Sequence, residues 1–187
     1  MKKKIIQISS NVLEKKIINL SSKYTTPYNA KIISKIIVRA EKMEILTHGL
    51  HYFLHSVLPH LEKGTTDHIV KKRDNYIYSE GKNGGGLGLI NIFDCLKKAS
   101  KIAKRKGVCI YSAKNPGKVG AFRTYCPEII KNNQLILMVK NTAPTQGLKK
   151  VKKALIGTNP LAIGIPGTNF IYDSSTSTVA KPVTFGL

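Results

Sequence analysis

His48, His51 and His55 recur at intervals of three and four residues in the stretch THGLHYFLH, a spacing that aligns them on one helix face. Such a face could hold a metal ion, but no carboxylate or thiol partner is evident beside it, and leucines and aromatics alternate with the imidazoles. Packing or surface roles are therefore expected for most of them, and no metal. His48 differs, because Thr47 and Gly49 leave a small, open backbone on either side. A substrate can approach an imidazole placed in that way, and the ring titrates near neutral pH, as a general acid or base must. A second stretch, ALIGTNPLAIGIPGTNFIYDSSTS from Ala154 to Ser177, sets apolar runs between clusters of Gly, Asn, Thr and Ser. Backbone amides and hydroxyls in such clusters either hold a ribose or phosphate without charge or serve ordinary turn chemistry. Gly81 to Gly88, GKNGGGLG, has neither the Gly-x-Gly-x-x-Gly spacing nor a following Gly-Lys-Ser/Thr, so it reads as a turn.

Periodicity supplies the framework that holds these groups. Val12 to Ser22 and Ala30 to Leu46 read as helices, the second with Ile32, Ile33, Ile36, Ile37, Ala40, Met43 and Leu46 at helical spacing. Gly49 interrupts the helical pattern, and an apolar face resumes through Leu50, Phe53, Leu54 and Val57 until Pro59 and Gly64. Asp67 to Ser79 alternates weakly. Ile90 to Ala103 is an amphipathic helix stopped by Gly107, Val108 to Tyr111 a short strand, and Gly117 to Lys131 another helix. Leu135 to Val139 is wholly apolar and is expected to be a strand buried on both faces. Pro160 should hold Asn159 extended, Leu161 to Ile165 and Phe170 to Tyr172 should be strands, and Pro166-Gly167 suits a type II turn between them. The last hundred residues therefore read as alternating strand and helix.

Composition excludes several classes. At 187 residues and 42% hydrophobic, the chain can bury a real core. No apolar run approaches the roughly 20 residues of a membrane span, and Met1-Lys-Lys-Lys-Ile-Ile leads into polar residues instead of a signal core, so a cytoplasmic protein without membrane contact is expected. Cys95, Cys109 and Cys126 are too widely spaced for a disulfide framework or zinc knuckle, and read as reduced structural thiols. The formal charge of +21 invites a nucleic-acid reading, yet the basic residues are mostly lysine and dispersed along the chain. Solvated lysine faces account for them, and no specific nucleic-acid partner is expected.

The order of Thr47-His-Gly, the helix carrying Lys98 to Gly107, Asn141-Thr, Gly157-Thr-Asn-Pro and Asp173-Ser-Ser-Thr-Ser resembles the non-Rossmann malate/L-lactate dehydrogenase family over residues 30 to 182. That resemblance implies hydride transfer between NAD or NADP and a small 2-oxo acid, without a metal, in a homodimer. It makes His48 the acid/base group and assigns cofactor contacts to Thr142, Asp173, Ser174, Ser175 and Thr176. The family's second histidine is Asn115 here, its substrate-helix arginine position is Tyr52 or is displaced by one extra residue before Gly64, and Met-Ala of its cofactor loop is Ser174-Ser175. The implied fold is mixed α/β: an N-terminal helical segment over 1–66, then part of a non-Rossmann dinucleotide-binding domain over 67–187, truncated relative to the family. A binding protein that keeps this outline without catalysis, and a basic nucleic-acid-binding module, are the competing readings.

Overall fold

The computed structural model describes residues 7–64, 67–82, 86–147 and 154–177. Ser9 opens α1 (Ser10–Ser21) by accepting a hydrogen bond from the Val12 N–H, and Thr26 does the same for Asn29 at the start of α2 (Pro27–Lys42), where Pro27 fills the first turn. The isoleucines of α2 meet Leu13 and Ile17 of α1 on one side and the apolar face of α5 (Gly88–Lys106) on the other, in one buried cluster that also takes in Phe53, Tyr125, Ile136 and Ala162.

α2 is shorter than its apolar spacing suggests. Glu44 adopts φ 57°, and the Ile45 N–H closes back onto the Ala40 carbonyl, which ends the helix and leaves Leu46 exposed in the next turn. Leu46–His48 forms a single 3₁₀ turn before α3 (Leu50–Tyr52). α3 runs into a wider π turn over Phe53–Val57, in which Leu58 N–H reaches Phe53 O, and on into α4 (Leu58–Glu62). A π turn holds one more residue than an α turn, so this helix widens locally between Phe53 and Val57.

β1 (His68–Arg73) and β2 (Tyr76–Gly81) pair antiparallel through a tight turn at Asp74-Asn75, and β2 pairs parallel with β3 (Ile110–Lys114), with α5 as the crossover. β3 begins two residues later than Val108 because Gly107, at φ 83°, carries the chain out of α5, and Ile110 N–H is the group that reaches Asn75 O. Residues 83–85, in the middle of the expected Gly81–Gly88 turn, lie outside the described residues.

The expected helix from Gly117 to Lys131 is instead a loop, a 3₁₀ turn at Phe122–Thr124 and a short α6 (Cys126–Ile130). Gly117 and Gly120 at positive φ prevent a continuous helix. The remaining strands, β4 (Ile136–Val139), β5 (Leu161–Gly164) and β6 (Ile171–Ser174), form an antiparallel meander, so strand and helix do not alternate to the end. Gly167, at φ 71°, supplies the turn expected between β5 and β6.

β4 is not buried on both faces. Ile136 packs inward, but Leu135, Leu137 and Val139 are 63%, 61% and 71% exposed along a groove of about 640 Å³ between β4 and the α5–β3 region. An apolar run cannot reveal which of its faces is covered; here β5 is its sole strand neighbour among the described residues, and a single face meets the core. Such a row of aliphatic side chains on one strand favours self-association. Leu137→Lys should raise the concentration at which the chain associates and change stability by no more than about 0.5 kcal/mol, as for other surface substitutions. Sedimentation velocity checks this; unchanged association would show that another surface mediates it.

Candidate functional site

The first site element is built by α2. Glu41 Oε1 accepts from the Leu50 N–H, capping α3, and lies where a side chain on Gly49 would project. A residue larger than glycine there would push the carboxylate off its cap. The preceding 3₁₀ turn fixes His48, whose backbone N–H donates to Ile45 O at 2.8 Å. Thr47 Oγ1 lies 2.9 Å from His48 Nδ1, so that nitrogen is occupied and Nε2 is the ring atom left for chemistry. The Tyr52 ring stands 5.4 Å from the imidazole, and its hydroxyl accepts from the Gly120 N–H at 3.2 Å.

The second element is a hydrogen-bonded clasp between the ends of β4, β5 and β6. Asn159 is not extended; it adopts φ 40°. Its Oδ1 accepts from the Thr142 N–H at 3.0 Å and its N–H donates to Thr142 Oγ1 at 3.3 Å, a long-range pairing that overrides the preference set by Pro160. Gly157 permits the approach: a Cβ there would sit 2.2 Å from the Thr142 carbonyl oxygen. Ser175 Oγ donates to Thr158 O at 2.9 Å, and Thr176 Oγ1 donates to Asn159 O at 3.0 Å. Asp173 Oδ2 accepts from the Arg123 N–H at 2.8 Å, which ties β6 to the 3₁₀ turn at Phe122–Thr124.

These elements enclose a cavity of about 780 Å³. His48, Thr142, Asp173, Ser174 and Ser175 all line it, whereas Thr176 lies outside, exposed. Asn115 borders the groove beside β4 instead; the two spaces share Val119, Phe122 and Lys140 as walls. Sequence reasoning missed the cavity's cations, Lys118, Arg123 and Lys140. A signal did exist for Lys140, a lysine that closes the apolar run Leu135 to Val139 immediately before Asn141-Thr142.

Burial holds the His48 imidazole below its ordinary pKa, and the charge of Lys140 adds to this. Burial likewise depresses Lys140, with Lys118 as the second cause. Asp173 is raised by burial, against the hydrogen bond and charge of Arg123. Arg123 Nε and Thr145 Oγ1, both in residues lining the cavity, are buried without a hydrogen-bond partner among the described residues. A neutral imidazole, unengaged donors and clustered cations suit an anionic ligand that accepts hydrogen bonds and exchanges a proton. Among the described residues no group of three or more His, Cys, Asp or Glu could hold a metal ion, and no helix is long and apolar enough to cross a membrane.

Comparison with known proteins matches the chain to one family. The sequence profile of malate/L-lactate dehydrogenases matches residues 8–182. A malate/(S)-sulfolactate dehydrogenase of Methanothermus fervidus is 28% identical over 159 residues, covering 82% of this chain and 46% of the relative. A malate dehydrogenase of Pyrococcus abyssi is 25% identical over 185 residues, 93% of this chain and 49% of its own. Among solved structures, malate dehydrogenase of Entamoeba histolytica superimposes with a TM-score of 0.85 at 21% identity, covering 98% of this chain and 54% of that one. Sulfolactate dehydrogenase of Methanocaldococcus jannaschii gives 0.84 at 23% identity, with 96% and 54% covered. These structural likenesses establish the mixed α/β fold, and the chain spans about half the length of the relatives it matches.

Proposed function

The chain belongs to the malate/L-lactate dehydrogenase family, and from that membership we propose that its cavity interconverts a 2-oxo acid and the corresponding 2-hydroxy acid, with NAD or NADP as redox partner. The observation that carries this reading is the meeting of His48, its Nδ1 engaged by Thr47, with Thr142, Ser174 and Ser175 and the cations Lys118, Arg123 and Lys140 in the lining of one cavity.

The residues fit a dinucleotide. The volume of about 780 Å³ lies within the range of small-molecule sites. The unpartnered Arg123 Nε and Thr145 Oγ1 supply donors for phosphate or ribose oxygens. When bound, the dinucleotide supplies or accepts the hydride. His48 does the complementary proton work: in reduction its Nε2 gives a proton to the carbonyl oxygen, and in oxidation the neutral ring takes the proton from the hydroxyl. Thr142, Ser174 and Ser175 orient the dinucleotide from the strand ends, while Thr176 holds their loop in place from outside. A second copy of the chain is the assembly partner we propose, in keeping with the bare apolar face of β4.

The test is direct: the chain is mixed with pyruvate, oxaloacetate or sulfopyruvate and NADH or NADPH, and loss of reduced dinucleotide is followed by absorbance. Consumption with at least one pair is expected; none with any pair contradicts the proposal.

Asp173→Ala should raise the Michaelis constant for the dinucleotide more than it lowers turnover, because the residue positions and transfers no proton. It should also lower stability by about 1 kcal/mol, the value of a lost cap at the Arg123 N–H. Steady-state kinetics and thermal melts separate the two effects; a fall confined to turnover would mean that Asp173 takes part in the chemistry.

A further inference from the structure

Proton exchange at His48 and dinucleotide contacts at the strand ends leave Lys140 without a role. Among the described residues the cavity's one carboxylate, Asp173, is engaged by the Arg123 N–H and stands beside the charge of Arg123. Lys140 is half-buried, and among the described residues it forms no ion pair. The charge that adds to its burial is another cation, Lys118, which lines the same cavity. An ammonium withdrawn from water beside a like charge is unfavourable, and an anion delivered to it relieves both terms.

Its position is also well defined. Lys140 N–H donates to Pro160 O at 3.2 Å, and two residues on, Thr142 is locked to Asn159, so the side chain departs from a rigid strand end. His48 faces the same cavity and feels the Lys140 charge. In a 2-oxo acid the carbonyl that must meet the imidazole is bonded directly to the carboxylate carbon. Whatever cation stands next to the acid/base group is therefore the one the carboxylate reaches. Arg123 sits instead on the 3₁₀ turn at Phe122–Thr124, beside Asp173.

Resting on the reductase reading above, we propose that Lys140 binds the C1 carboxylate of the 2-oxo acid and thereby turns the carbonyl oxygen toward His48 Nε2. Lys140 is thus a substrate-binding residue that selects 2-oxo acids over uncharged ketones, leaving Lys118 and Arg123 to the phosphates.

Calorimetric titration of the full chain with oxamate, a stable 2-oxo acid analogue, and separately with ADP, tests this. Wild type should bind both. Lys140→Gln should weaken oxamate about 10- to 100-fold, the value of a charge-assisted hydrogen bond, leave ADP affinity and the melting temperature unchanged, and be largely rescued by Lys140→Arg. Equal oxamate affinity in wild type and Lys140→Gln, or no oxamate binding by wild type, overturns the inference. So does a loss confined to ADP, which would make Lys140 a phosphate anchor. Failure of the reductase reading is recognised separately, as wild type that neither binds ADP nor consumes reduced dinucleotide.

Discussion

Replacing His48 by Ala should lower the proposed turnover of a 2-oxo acid by about 100- to 10,000-fold at saturating dinucleotide, the range that general acid catalysis supplies. Among the described residues no other imidazole lines the cavity, and Asn115 borders the neighbouring groove, where its amide carries no exchangeable acid proton of suitable strength. The pH dependence has a definite sign. Burial, reinforced by Lys140, holds the ring below the ordinary 6.5, so at neutral pH it is a base. Oxidation of the hydroxy acid should keep its rate as pH falls through 6.5 and decline only further down, whereas reduction needs the protonated ring and should weaken as pH rises. Stopped-time assays in both directions across pH measure this. A His48→Ala chain with full activity would place the acid elsewhere.

Glu128→Ala should destabilise the fold by about 3 kcal/mol, toward the lower end for breaking a buried ionic cluster, because Lys35 and Lys131 retain much of their hydration. The Glu128 carboxylate is almost wholly buried and meets Lys35 Nζ at 2.6 Å, Arg39 Nη2 at 2.8 Å and Lys131 Nζ at 2.8 Å, joining α2 to α6. Arg39 also donates to Thr124 O, so loss of the carboxylate loosens the turn that Asp173 holds from the other side. Burial raises the Glu128 pKa, but hydrogen bonds from Lys131, Lys35 and Arg39 outweigh it and hold the group at about 2. A lowered folded-state pKa means that the stabilisation is present above the unfolded value near 4.5 and is lost as pH falls toward 2. Denaturant melts should therefore show the wild-type advantage at neutral pH shrinking over that interval. A constant gap between wild type and Glu128→Ala down to pH 2 would mean that the carboxylate contributes packing alone.

The motifs that line the candidate site were legible because each is local. Thr47-His-Gly needs only a small residue on either side of the imidazole, and Gly157-Thr-Asn-Pro carries its close approach in a glycine. The partners of these motifs were not legible, since they are distant in sequence: Asn159 takes its left-handed backbone from Thr142, 17 residues away. The cations were hidden by abundance. Among 31 lysines and arginines, nothing local distinguishes Lys118, Arg123 or Lys140 from solvated neighbours, and only the cavity sorts them. The face of β4 was misjudged for a related reason, because aliphatic residues look the same whether the fold covers them or leaves them bare. The mixed α/β class came with the family resemblance and holds, whereas the periodicity reading of alternating strand and helix failed where β4, β5 and β6 form a meander and where Gly117 and Gly120 break an expected helix.

As proposed, this cavity brings a reduced nicotinamide dinucleotide and a 2-oxo acid together beside His48. Reduced dinucleotide carrying deuterium at nicotinamide C4 is incubated with the chain and a 2-oxo acid, and the 2-hydroxy acid is analysed by mass spectrometry. Deuterium at C2 of the product with wild type, and its near-absence with His48→Ala, is the expected result; a wild-type chain that leaves the 2-oxo acid unlabelled and unreduced with both NADH and NADPH contradicts the claim.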